Sequence, residues 1–422
     1  MKKILIMLSL LALVSSVSFA AGRPEATDAR QEITFWTMSL SPAFDDYLNG
    51  VIASFEQANP NVSVNWVDVP WGDTETRVLT AAASGTLPDV INLNLPFSQR
   101  LAQNNLLVDM NDAASDVRGD FFEGTWDAST YEGTVFGLPW YITSNMIFYN
   151  RSLFEQAGLD PDSPPTSFDE LLSAARAIRE NTGSYGYMTF FQDQFIMEEL
   201  ERMGIRLFNE DFTQAQFNTP AVREAAAFYG TMLSENLIPS ETITARSGTG
   251  EAIQLFSAGE LAMFLGGTTH ARMIRENSQT IYDNMGVGPQ IRGEDGKSNI
   301  AVMNIVVPTT SDHREASLAF AKYLTNNDNQ VEFARQAGTI VTSTRAALDD
   351  PFFSESDGTA SADARIMSAV EVSQGSVIFP PIQNWPDIRD AFLEAFARAV
   401  IGDADPETVL QNAEDIANGL LN

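Results

Sequence analysis

The chain has 422 residues, no cysteine, two histidines and a formal charge of −31. Acidity on that scale repels nucleic acid and anionic lipid, and the lack of cysteine excludes disulfides and a lipid anchor on an N-terminal Cys. Its 44% hydrophobic content is that of a folded globule, not of a disordered acidic tail, and about 400 residues exceed what one core supports, so two or three domains are expected.

Met1–Ala20 reads as a secretory signal. Lys2 and Lys3 precede the apolar run Ile4–Val14, and Ser18-Phe19-Ala20 offers small residues where a signal peptidase cuts. A retained anchor is the alternative. Residues 21–31 are polar and expected to form a flexible leader. Glu32–Trp36 predicts a buried strand. Pro42–Ala58 predicts an amphipathic helix, with Phe44, Tyr47, Leu48, Val51, Ile52 and Phe55 at three- and four-residue spacing. Val62–Val69 alternates like a half-buried strand. A helix near Thr74–Ser84 stops at Gly85, and Pro88–Leu93 reads as a buried strand. This alternation predicts a parallel sheet with helices on both faces. Ligands sit beyond the carboxyl ends of such strands, here Trp36–Ser39, Val69–Asp73 and Asn92–Ser98.

Residues 131–150, YEGTVFGLPWYITSNMIFYN, form an aromatic-rich apolar run that gives way to a helix at Asn150-Arg151. Ser167 and Glu170 have the spacing of a capping box. Further helices are expected over Gln194–Met203, Pro220–Glu235, Gly250–Ser257 and Arg314–Leu324. Glu294-Asp295-Gly296, between apolar segments 285–291 and 300–307, suggests a hairpin. Pro406 suits the first turn of a last helix whose apolar face carries Val409, Leu410, Ala413, Ile416 and Leu420.

Catalytic signatures are missing. His270 and His313, without cysteine, are too few soft ligands for a transition metal. No P-loop, dinucleotide fingerprint or nucleophile elbow occurs. Asp403-Ala404-Asp405 lacks the other positions of a calcium loop. Acidic residues are too numerous for a glycosidase pair to be picked out.

Taken in order, EITFW, PNVSVNW, DVPWGD, SGTLPDVINLN and NNLLVDM, then YEGTVFGLPWYI, MIFYNRSLFEQAGL and PPTSFDELLSAARAI, and later FSAGELAMFLGG and GDADPETVLQNAEDI, resemble the extracellular solute-binding proteins of ABC importers, the family that includes maltose-binding protein. The likeness covers nearly the whole chain after the signal. It implies an α/β, two-lobed periplasmic-binding-protein (type II) fold. Lobe 1 would be 32–142 plus 298–327, and lobe 2 would be 143–297 plus 328–422. Crossovers would fall near Tyr141–Ser144, Lys297–Ile300 and Thr325–Gln330. It also implies a non-enzymatic periplasmic monomer without cofactor, which closes on a small-molecule ligand, most simply a mono- or oligosaccharide, and docks on the transmembrane subunits of an ABC permease. A polyol, polyamine or sugar phosphate on the same fold, or a secreted glycoside-acting enzyme, are the alternatives.

Sugars present C–H patches to aromatic faces and hydroxyls to amides and carboxylates. With the resemblance as guide, the candidate cleft aromatics are Trp36, Trp71, Trp140, Tyr141, Phe191 and Trp385. The candidate polar partners are Asp46, Asn92, Asn94, Asn145 and Gln192, with Gly267 beside them. Each aromatic has a core role as its alternative, and for Asp46 the alternative is service to the dipole of its helix. One departure is visible. Where the family often carries a sugar-stacking Trp, this chain has Gly266-Gly267-Thr268-Thr269-His270. His270 is a candidate hydrogen-bonding partner or a partly exposed helix residue.

Overall fold

The structure is a computed structural model and describes residues 30–191, 194–240, 243, 249–379, 382 and 384–421. Its strands are β1 (Gln31–Met38), β2 (Val62–Val69), β3 (Val90–Asn94), a short hairpin of β4 (Thr130–Tyr131) and β5 (Thr134–Val135), β6 (Leu138–Asn150), β7 (Met263–Gly267), β8 (Met285–Gly288), β9 (Ile300–Val306) and β10 (Val341–Thr342). In the first part of the chain α1 (Asp45–Ala58) turns Tyr47, Leu48, Val51, Ile52 and Phe55 inward, the predicted stripe. It is followed by α2 (Trp71–Ser84), α3 (Leu95–Gln103), α4 (Met110–Ala113) and α5 (Glu123–Ala128). The second part begins with α6 (Arg151–Gln156) and α7 (Phe168–Thr182). Ser167 caps α7 in a complete capping box with Glu170, and Gly183 ends it in the left-handed region. Then come α8 (Phe195–Arg202), α9 (Pro220–Ser234), α10 (Thr249–Ser257), α11 (Thr268–Asn277), α12 (Gln279–Asn284), α13 (Arg314–Leu324), α14 (Asn327–Ala337), α15 (Ala360–Gln374), α16 (Trp385–Ile401) and α17 (Pro406–Leu421).

Two lobes result. The first-lobe sheet runs β10-β6-β9-β3-β1-β2, with β1 parallel to β2 and β3 and with β9 antiparallel to both β3 and β6. One face packs Ile33, Phe35, Trp140, Ile142, Phe320 and Phe333 under α1, α13 and α14. The other packs Met38, Val78, Leu93, Leu101 and Phe136 against α2 and α3. In the second lobe, Ile147 and Tyr149 share a core with α7, α9, α16 and α17, and Met146 and Phe148 share another with α10 and α11.

The lobes share β6. Its first half pairs with β9 and β10, and its second half pairs antiparallel with β7 and β8. Period-two alternation persists across the join, so Leu138, Trp140 and Ile142 enter a first-lobe core, whereas Met146 and Phe148 enter a second-lobe core. α15 follows the same strand. Ala360 and Ala364 pack in the second lobe and Ala369 and Val372 in the first. At the join the Ser144 and Ser368 hydroxyls share a 2.8 Å hydrogen bond.

Two expectations are corrected. β8 and β9 do not form a hairpin; they pair with opposite halves of β6, so 289–299 is the second crossover. This segment is strapped to α8. Gly293 N donates to Arg202 O at 2.7 Å, and a Cβ on Gly296 would lie 1.9 Å from that same oxygen. The buried Glu371 carboxylate accepts from Gln290 N at 3.0 Å, from Ser298 Oγ at 2.7 Å and from the Arg292 guanidinium. The third crossover is not at Thr325–Gln330, and lobe 1 does not end at 327. Phe333 and Ala334 of α14, β10 and Phe353 all complete the first-lobe core. The chain returns at Ser376–Phe379, where Ser376 bridges Asn299 and Phe379 joins the second-lobe core.

Candidate functional site between the lobes

Because β3 and β6 are both antiparallel to β9, the carboxyl ends of β1, β2 and β3 and the midpoint of β6 lie at one edge of the first sheet. There β6 enters the second lobe, and the carboxyl end of β7 returns to the same seam, with Gly267 opposite Asn145. The carboxyl ends of the first-lobe strands and of β7 therefore lie along one seam, the location where α/β sheets take ligands.

On the first lobe, Trp71 opens α2 beyond the end of β2 and is 52% exposed. Its backbone N–H donates to Ser39 Oγ at 2.7 Å, which ties the ends of β1 and β2 together. Asp68 Oδ1 accepts from Thr37 Oγ1 at 2.6 Å and from Leu40 N at 3.0 Å. Asn94 caps α3 by accepting from Phe97 N at 3.0 Å, which leaves its amide N–H groups for another partner. Tyr141 is half-buried, edge-on to Trp140 and Phe333. Burial, aided by the Asp68 carboxylate, pushes its phenol far up, so it remains protonated at any physiological pH.

On the second lobe, Asn145 lies beside Gly267, where a Cβ would come within 3.6 Å of Asn145 Oδ1. Gly267 N–H donates to His270 Nδ1 at 2.9 Å. Burial lowers the His270 pKa to about 4, which keeps the ring neutral. The Thr268 hydroxyl donates across the seam to Thr339 O of the first lobe.

Trp71, Asn94, Tyr141, Asn145 and Gly267 thus stand at, beside or just past these strand ends. Trp36 is half-buried on β1 with the Arg77 guanidinium 4.4 Å over its ring, and Asp46 is exposed in the first turn of α1. Trp385 starts α16 just after the third crossover, half-buried against Phe379 at 5.2 Å and Phe208 at 6.1 Å. Three candidates are buried inside one lobe or the other. Trp140 is fully buried and stacks on Phe333 at 4.9 Å. Asn92 lies inside β3, fully buried, and donates to Asn304 O at 3.3 Å; Asn304 is buried as well and accepts from Ser129 Oγ at 2.7 Å. Phe191 is buried and stacks on Phe396 at 5.8 Å. It borders a cavity of about 270 Å³ along α16, lined also by Leu393, Ala397 and Ile401. Gln192 lies outside the described residues. Asp68 and Thr268 were missed. The signal for Asp68 was a carboxylate next to the carboxyl end of a valine-rich strand; Thr268 carried none.

Among the described residues, no group of three His, Cys, Asp or Glu side chains could hold a metal, and no helix is long and apolar enough to cross a membrane. The bacterial extracellular solute-binding protein model matches residues 40–331. A crystal structure of a candidate oligosaccharide periplasmic-binding protein from Synechococcus sp. MITs9220 is 30% identical, covers 92% of this chain and 98% of its own, and superposes with a TM-score of 0.80. A candidate binding protein of Brucella abortus is 24% identical over 98% of this chain and 96% of its own length. A mannitol-binding protein of Pseudomonas aeruginosa is 24% identical over 64% of each.

Proposed function

The chain belongs to the bacterial extracellular solute-binding proteins, and from that premise we propose that it is a periplasmic receptor which captures a neutral carbohydrate between its lobes and delivers it to an ABC permease. The observation that supports this reading is the seam between the lobes. Two sheets joined through one strand bring their strand ends to one seam, and Trp71, exposed just past the end of β2, stands on its first-lobe side. An indole face suits the C–H patch of a sugar, while Asn94, Tyr141, Asn145 and Asp68 supply directional hydroxyl partners. Ligand bridging both lobes favours the closed state by its differential affinity for that state, and rotation about β6 and the two return segments supplies the motion. The binding set comprises Trp71, Asn94, Tyr141, Asn145, Gly267 and Trp385, with Trp36 and Asp46 on its first-lobe flank. The protein acts as a monomer without catalysis, after removal of residues 1–20.

A polyol is the second reading, favoured by the likeness to a mannitol-binding protein. A thermal-shift screen of the mature protein against mono-, di- and trisaccharides, polyols and polyamines separates the two. A ligand at a hundred times its Kd stabilises the folded state by about 2.7 kcal/mol. A saturable shift with saccharides supports the first reading, and a shift confined to polyols supports the second. Turnover of a chromogenic glycoside would overturn both.

A further inference from the structure

His270 lies in the first turn of α11, directly after β7 reaches the seam. Its Nδ1 accepts the Gly267 N–H, so Nδ1 carries a lone pair and the single proton of the neutral ring resides on Nε2. No described residue accepts from that Nε2–H, and the ring is only partly buried. The side chain folds back over Gly267, the residue opposite Asn145 at the seam, and Thr268 of the same turn already reaches Thr339 of the first lobe. The ring neighbours are Phe264, 6.2 Å away between centroids, and the Gly266 backbone.

We propose that His270 is a specificity-determining residue of the interlobe site, which presents a fixed neutral N–H donor to an oxygen acceptor of the ligand. The inference rests on the carbohydrate-receptor reading and sharpens it. An Nε2–H donor with no partner among the described residues, in the turn next to the seam, matches a hydroxyl or ring oxygen of a sugar or polyol. It has nothing to offer a protonated polyamine, whose groups are donors only. Selection at this position is then by hydrogen-bond polarity rather than by ring stacking. Burial reinforces it, because a ring whose pKa is lowered to about 4 does not become a cation in mildly acidic surroundings.

The test uses the full mature protein labelled with ¹⁵N-histidine. With two histidines in the chain, His313→Gln assigns the imidazole signals. The probes are D-mannitol, maltose, maltotriose and spermidine, with calorimetry alongside. The expected result is an Nε2–H tautomer for His270 at pH 7 and at pH 5.5, and a displaced Nε2 resonance with the polyhydroxyl probe that binds. His270→Phe should weaken that probe about tenfold, as loss of one hydrogen bond implies, with His270→Gln recovering most of the loss. If a polyhydroxyl probe binds but leaves the Nε2 resonance unmoved, this inference fails while the receptor reading survives. Binding of spermidine alone, or of no probe, removes both. An Nδ1–H tautomer overturns the assignment whatever binds, and that measurement on unsubstituted protein decides the matter should His270→Phe not fold.

Discussion

Trp71 and Trp140 separate ligand recognition from core packing, and replacing each with alanine tests the placement of the site. Trp71 leaves 52% of its surface exposed. Of up to about 250 Å² on a tryptophan, roughly 130 Å² is then free to be covered. At about 25 cal/mol per Å², complete coverage by a sugar face would contribute about 3 kcal/mol, or some 200-fold in Kd. Partial coverage and the cost of ordering bring the expected loss for Trp71→Ala to about ten- to fiftyfold. The Ser39 hydroxyl holds the backbone N–H of Trp71, not its ring, so the stability change should stay within about 0.5 kcal/mol. Trp140 is fully buried and stacked on Phe333, so Trp140→Ala should cost about 3–5 kcal/mol of stability. Urea unfolding and calorimetry with the saccharide that most stabilises the wild type measure both quantities. Unchanged affinity in a folded Trp71→Ala protein would remove the first-lobe edge from the site. Lost affinity with unchanged stability in Trp140→Ala would mean that the two roles are reversed.

Glu198 of α8 accepts from Gln194 at 2.6 Å and from Asn299 of the second crossover at 2.7 Å, and burial raises its pKa above 4.5. An acid with a raised folded pKa contributes stability that is complete below its unfolded pKa and is lost as pH rises through the folded value. Glu198→Gln should therefore melt higher than wild type at pH 7 and equal to it at pH 4; a lower Tm at pH 7 would show that the charged form is the stabilised one. The Ser144–Ser368 bond should appear as a coupling of about 1 kcal/mol in a double-mutant cycle with alanine, and strict additivity would deny it. Gly296→Ala places a Cβ against Arg202 O. It should lower stability by several kcal/mol, roughly the cost of a forced backbone shift, and raise hydrogen exchange along 289–299; wild-type exchange there would show that the strap is not tight.

Much of the fold was legible because its signals are local. The apolar stripe of α1, the Ser167–Glu170 cap and the aromatic run through β6 are all written in neighbouring residues. Errors arose where partners are distant. The hairpin expected at 294–296 depended on β8 and β9 choosing each other, whereas each found its partner in a different half of β6. Nothing local shows that Phe333 packs on Trp140 and so keeps α14 in the first lobe. At the site, two adjacent aromatics of β6 take opposite faces, with a register irregularity between Pro139 and Tyr141 beside them. Alternation through Leu138, Trp140 and Ile142 buries Trp140 and leaves Tyr141 partly accessible, but which of the two faces is the buried one is set by the distant Phe333 and Phe35. Asn92 misled in a related way. Its strand runs on to Asn94, so the amide expected past the end is interior.

The position of β9 has a consequence for the order in which the molecule is made. It is an inner strand of the first sheet, lying between β3 and β6, yet a ribosome reaches it only after the second-lobe strands β7 and β8. A nascent chain ending near residue 142 holds β1, β2 and β3 with the β9 side of β3 bare, and β10 comes later still. Neither lobe can be finished early and set aside, so the two mature late and together, after most of the polypeptide exists. Such long-range closure slows folding. A chain in that state keeps its half-built first sheet open along a strand edge until residues 300–306 arrive to cover it.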